Sequence, residues 1–178
     1  MAERYPIIER DAIRLRSFQP SDWPGIVAAA SDPYIVATTT VPTPCDEPAA
    51  RAFIDRQHRR LPEGTGYSFA IADSVHDTLV GHVGVWLRDR DLGRATLGYW
   101  VIPRARGTGI ATAALATATD FAWTLGDLVR LELHIEPTNE ASIRTAERCG
   151  YLREGLLRSY KLIDNRWHDM LSYARVRG

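Results

Sequence analysis

The chain has 178 residues, enough for one domain with a substantial core. Hydrophobic residues make up 45% and charged residues 25%, and 22 basic side chains balance 22 acidic ones to a formal net charge of zero. That balance lacks the strong positive excess of a nucleic-acid binder, no run of about 18 apolar residues offers a membrane span, and two scattered cysteines, Cys45 and Cys149, argue against a disulfide framework or a metal site.

Residues 12–18 alternate apolar and polar, Ile13 and Leu15 against Arg14 and Arg16, and predict a first strand with one buried face. Ser21 reads as the N-cap of a short helix running through Ile26 and Val27 to Ala30. Residues 31–46, with three prolines and a threonine run, read mostly as loop. A second helix is expected from Glu47, with Ala50, Phe53, Ile54, Gln57 and Leu61 inward, stopping at residues 62–64. Strands follow at 67–72 and 79–87, then a hairpin turn at 89–93 and a strand at 94–102. A long helix comes next, its Ile110, Ala114, Ala118, Phe121 and Leu125 at helical spacing and Gly126 placed for a left-handed cap. The remainder reads as a strand at 129–136, a helix at 139–149 and strands at 151–161 and 167–175. The five tryptophans are mostly core candidates, and residues 1–6 lack the apolar stretch of a secretory signal, so a cytoplasmic protein is expected.

The most informative segment is the junction between the strand ending at Trp100, Val101 and Ile102 and the long helix. There Arg104, Arg106, Gly107, Thr108, Gly109, Ile110 and Ala111 follow in quick succession. The first turn of a helix leaves about four N–H groups without partners and carries roughly half a positive charge. Glycines without a Cβ let a phosphate approach those groups, and two arginines add full charge. The G-x-x-x-x-G-K-[ST] phosphate loop is absent, and the dinucleotide fingerprint fails where Thr112 replaces its third glycine.

Arg106-x-x-Gly109-x-Ala111 instead resembles the acetyl-CoA motif of the GCN5-related N-acetyltransferases (GNAT), R/Q-x-x-G-x-G/A. Asn139-x-x-Ser142 followed by Gly150-Tyr151 resembles the Rim-like branch, which acetylates protein N-termini, and the run from Gly155 to Tyr173 resembles its closing hairpin. The resemblance implies a single domain over residues 1–178 with the acyl-CoA N-acyltransferase fold: a mixed α/β, largely antiparallel sheet of about seven strands flanked by about four helices. It implies an acetyl-CoA-dependent acyltransferase that needs no metal. Two parallel strands would splay apart, the backbone edge at Tyr99, Trp100, Val101 and Ile102 would pair with the pantetheine arm, and the 104–111 junction would hold the pyrophosphate. Asn139 would cap its helix or hold pantetheine. By its place near the end of that helix Arg148 is in reach of the adenosine 3′-phosphate, with a solvated helix residue the stronger reading. Homodimers are frequent among similar proteins, and a dimer is carried over as an expectation.

Within the resemblance, Ser142 matches the serine set beside the CoA sulfur, where it would hold the departing thiolate; otherwise it is a first-turn helix serine. Ala146 stands where many members carry a tyrosine acid, Thr96 where a glutamate base is common, and Lys161 where some Rim-like enzymes have a glutamate. The base candidates left are Glu132, His134 and Glu136, which alternate against Leu131, Leu133 and Ile135 on one strand face; a solvated or salt-bridged residue is the stronger reading for Glu136 and an even alternative for the other two. A water chain is an equal alternative. The acceptor, an amine of a protein N-terminus or of a small molecule, is expected between residues 32–47 and the closing hairpin. The missing acid and base residues leave a second reading, a non-catalytic acyl-CoA-binding module of the same fold.

Overall fold

In the computed structural model, which describes residues 5–178, the chain opens with two short strands, β1 (Ile8–Arg10) and β2 (Ile13–Arg16). Residues 1–4, part of the segment read for its lack of a signal, lie outside the described residues. Three helices follow, α1 (Trp23–Ala30), α2 (Pro33–Thr38) and α3 (Glu47–Arg59). Then come β3 (Gly66–Asp73), β4 (Leu79–Trp86) and β5 (Arg94–Val101). Helix α4 (Ile110–Thr124) leads to β6 (Arg130–Ile135), and α5 (Glu140–Arg148) to the hairpin of β7 (Leu152–Ile163) and β8 (Arg166–Val176).

All eight strands join one sheet in the order β1-β2-β3-β4-β5-β6-β8-β7, antiparallel except where β5 meets β6. Strands β3 and β4 are buried almost end to end, as strands covered on both faces are. Helix α4 sits close because the side chains it turns inward include Ala114, Ala118 and Ala122, all fully buried with Leu115. Phe69, Val83, Leu97 and Leu131 belong to the same buried cluster. A second polar layer lies inside it: His82 Nε2 is 2.8 Å from Ser68 Oγ, which donates to Gln57 Oε1 at 3.0 Å. Burial drives the His82 pKa down to about 3, so this imidazole is neutral at pH 7.

The expected fold class holds, with one strand and one helix more than its outline. Strand β1 has three residues, too few for a period to show. Helix α2 lies inside the segment read as loop; the Asp32 carboxylate accepts the N–H groups of Tyr34 and Ile35 at 2.8 and 3.3 Å, and Pro33 occupies its first turn. Ser21 is not a helix cap. It lies within a 3-10 turn (Pro20–Asp22), and Asp22 occupies the N-cap position of α1 while its carboxylate serves Arg16 and the Gln19 N–H. Trp167 is not core: it is 65% exposed on the hairpin.

The departure from a regular sheet is at its middle. Strands β5 and β6 pair in parallel only from Arg94↔Arg130 to Thr96↔Glu132. Beyond that point β5 stays with β4 as far as Val101, and β6 stays with β8 as far as Ile135. The two strands therefore part while each keeps its outer neighbour.

Candidate active site at the parted strands

The opening leads into a cleft of about 650 Å³. Strand β5 forms one wall, the start of α5 another, the 105–112 junction the outer end, and α2 a strap across the top. The cleft thus brings together Trp100, Val101, Arg106, Gly107, Gly109, Ile110 and Ala111 with Asn139, Ser142 and Arg148, residues 28 to 48 positions apart in the chain.

At the outer end, Gly107 and Gly109 have φ of +77° and +85°, conformations that favour glycine, and a Cβ at either would meet nothing within 4 Å. Gly109 is the N-cap of α4 and has no side chain to cap it with. Among the described residues, the N–H groups of Ile110, Ala111 and Thr112 consequently have no protein acceptor. An open cradle over unpaired N–H groups fits a pyrophosphate. Arg106 contributes less free charge than its position suggests. Its guanidinium donates to Val101 O at 3.0 Å and pairs with Asp32 at 2.5 Å. Ile102, Arg104 and Thr108 stand apart from the cleft wall: Ile102 is fully buried and donates its N–H to Val80 O, Arg104 projects from the surface, and the Thr108 hydroxyl donates to Ala105 O.

At the inner end, Asn139 caps α5 by accepting the Ser142 N–H at 3.0 Å and donates from Nδ2 to the Tyr34 hydroxyl at 3.1 Å. One side chain so performs the capping expected of it and fastens α2 over the cleft. Burial, and then the neighbouring Glu136 carboxylate, push the Tyr34 phenol up to about 12. Helix α2 is tied a third time where Lys161 Nζ donates to Thr38 O at 3.0 Å. Tyr99, Thr145 and Arg144 also line the cleft.

Strand β6 shows the alternation expected, with Leu131, Leu133 and Ile135 buried and Arg130, Glu132 and His134 half-buried on the other face. Neither Glu132 nor His134 lines the cleft itself. Glu132 is held by Arg130 at 2.5 Å, and Arg130 also grips Glu154, so that carboxylate is committed to a surface network. Glu136 is committed likewise, to His168 Nδ1 at 2.7 Å. His134 packs on Tyr160, with ring centroids 4.7 Å apart, and makes no hydrogen bond among the described residues. Burial lowers its pKa below 6.5, with Lys161 and Arg130 adding to the effect and Glu132 opposing it. Asp169 accepts the N–H of Ser159, whose φ is +48°, and so shapes the hairpin bulge.

The reading from sequence set Asp32 and Tyr34 in an acceptor loop without their individual roles, missed Thr145 and Arg144, and took Tyr99 for backbone alone. For the first two a signal existed, the Asp-Pro step that starts a helix.

A phosphate-ready helix terminus at the mouth of parted parallel strands is the arrangement of an acyltransferase. Residues 12–152 match the family described as Acetyltransferase (GNAT) domain, and the chain belongs to that family. Its enzymes use acetyl-CoA as donor. The uncharacterized N-acetyltransferase p20 of Bacillus licheniformis is 27% identical over 167 residues, 94% of each chain. The ribosomal-protein-serine acetyltransferase of Escherichia coli is 28% identical over 112 residues, 62% of each chain. Among solved structures, Mycobacterium smegmatis RimJ in complex with CoA-disulfide superposes with a TM-score of 0.80 at 25% identity, over 92% of this chain and 81% of that one. The microcin C7 self immunity acetyltransferase MccE, in complex with acetyl-CoA and AMP, gives 0.84 at 20% identity over 94% of both chains. No described helix is long and apolar enough to cross a membrane.

Proposed function

We propose that this chain is an acetyl-CoA-dependent N-acetyltransferase that moves an acetyl group onto a primary amine, of a protein N-terminus or of a small molecule, by direct attack on the thioester. The observation that carries the reading is the pairing of two chemically distinct ends in one cleft. The α4 N-terminus has N–H groups unpaired among the described residues at the outer end, and Ser142 lines the inner end with its hydroxyl beside that of Tyr99. Bound acetyl-CoA supplies an activated acetyl thioester.

The chain's own residues supply positioning and proton handling. The N–H groups of residues 110–112 hold phosphate oxygens, with Arg148 on the cleft wall as a further cation. Ser142 offers its proton to the departing sulfur. His134, which lies off the cleft wall and takes the amine proton through water, is the base of choice: burial holds its pKa below 6.5 and it makes no hydrogen bond among the described residues, whereas Glu132 and Glu136 are both engaged. Acid and base roles of this kind are worth about 10²–10⁴-fold each.

The test is release of CoA thiol on a panel of peptides and small amines. Ser142→Ala should lower turnover at least tenfold with CoA affinity unchanged; equal turnover removes Ser142 from the mechanism, and no turnover by the parent protein on any amine, despite CoA binding, favours a binding module. With a weakly basic amine that stays unprotonated, the rate should hold from pH 8 to 6.5 and fall only below that, as His134 takes up its proton. A pH profile unchanged in His134→Gln would exclude it as base.

A further inference from the structure

The position from which many relatives in this fold protonate the leaving thiolate is filled here by Ala146, which is fully buried and has no donor. A hydroxyl reaches the same helix from the opposite wall. Tyr99, on β5, lines the cleft, and its Oη is a buried polar atom with no hydrogen-bond partner among the described residues. Its polar neighbours are the Ser142 and Thr145 hydroxyls of α5. Both lie within reach of it, short of full hydrogen-bond geometry. A buried phenol left unpaired is costly, and in a native fold it needs an explanation.

The two neighbours are not equivalent. The Thr145 hydroxyl already donates to Ala141 O at 2.9 Å, one turn back in α5, so its proton is spent. The Ser142 hydroxyl proton is uncommitted. A phenol has one proton to give, and Tyr99 keeps it, because burial raises its pKa above 10 despite the opposing influence of Ser142 and Thr145.

We infer that Tyr99 is the positioning residue for Ser142: when the cleft is occupied, the Tyr99 hydroxyl donates to Ser142 Oγ, which turns the serine proton onto the sulfur of CoA. The inference rests on the proposed acetyl-CoA site. It gives the orphan phenol its partner and supplies from a strand the second hydroxyl that the helix lacks. The pair stabilises sulfur as thiolate by hydrogen bonding, with no net proton transfer, while the amine proton leaves by the His134 side.

The experiment needs no acceptor. CoA is bound to the full chain and its thiol is titrated by thiolate absorbance in the ultraviolet. In the parent protein the midpoint should lie below that of free CoA. In Tyr99→Phe it should rise by about one pH unit, a tenfold loss of thiolate stabilisation, with the dissociation constant for CoA within about threefold of the parent. In Ser142→Ala the midpoint should rise at least as far, and adding Tyr99→Phe should move it no further. A structural role would not move the titration. Because the hydroxyl completes no hydrogen bond among the described residues, Tyr99→Phe should leave the melting temperature unchanged or raise it, and a fall would overturn the premise. An unchanged midpoint in Tyr99→Phe overturns the inference alone; failure of the parent protein to bind CoA overturns the site reading and this inference together.

Discussion

Gly109→Trp is expected to weaken CoA binding more than a hundredfold while the chain still folds. In the proposed site the start of α4 takes the pyrophosphate because, among the described residues, a Cβ at Gly109 would meet nothing within 4 Å and three N–H groups have no acceptor. An indole there occupies the space a pyrophosphate needs. Losing two or three charge-assisted hydrogen bonds, at about 1.5–3 kcal/mol each, exceeds the roughly 2.7 kcal/mol that a hundredfold change represents. Backbone strain is the smaller effect. Any side chain at φ +85° costs about 1–2 kcal/mol, and that cost is shared by Gly109→Ala, whose Cβ meets no atom within 4 Å. The alanine variant therefore separates the two: both should lose a few degrees of melting temperature, but only the tryptophan should lose the stabilisation that added CoA confers on the parent protein. Calorimetric affinity for CoA within threefold of the parent in Gly109→Trp would show that the phosphates bind elsewhere.

That site was largely legible before any coordinates, and the reason is local. Two glycines between a strand and an apolar-periodic helix can be read from the residues themselves, since positive φ, the missing Cβ and the unpaired helix terminus are all properties of a dozen contiguous positions. Asn139 and Ser142 were legible for the same reason, as a cap and a first-turn residue. What escaped depends on approach through space. The Asp32–Arg106 pair joins residues 74 positions apart, and no feature of either indicates that the arginine of the anchor motif is partly neutralised. Helix α2 has six residues, shorter than two turns, and the prolines and threonines of the surrounding 31–46 segment outweighed the Asp-Pro signal at its start. Tyr99 was correctly set in a strand. Which hydroxyls its ring meets is decided by α5, forty residues later and across the gap between β5 and β6. Alternation along β6 placed Glu132 and His134 on one face but could not tell the carboxylate held by Arg130 from the unpaired imidazole.

The largest loss of stability is expected not in the apolar core but at Arg16. This side chain is 3% exposed, and all five of its donor positions are used: Asp22 accepts two bonds at 2.8 and 2.9 Å, Asp77 accepts at 2.9 Å through its carboxylate and again through its backbone oxygen, and Ser17 O accepts the fifth at 3.1 Å. The guanidinium thereby joins the end of β2, the start of α1 and the β3–β4 turn, the frame from which α2 is laid over the cleft. Arg16→Met removes the charge and leaves Asp22, also 3% exposed, with only the Gln19 N–H as donor. Breaking a buried pair in this way costs about 3–5 kcal/mol, a large part of the 5–15 kcal/mol typical of a domain. Urea unfolding should show a midpoint shift with an unchanged slope. If the cost is the stranded carboxylate rather than lost packing, Arg16→Met with Asp22→Leu should recover most of it, because removing both charges leaves neither buried alone. A double variant as unstable as Arg16→Met would assign the loss to the hydrogen bonds with Asp77 and Ser17, and a single variant within 1 kcal/mol of the parent would mean that water reaches Asp22 and the pair is not a keystone of this frame.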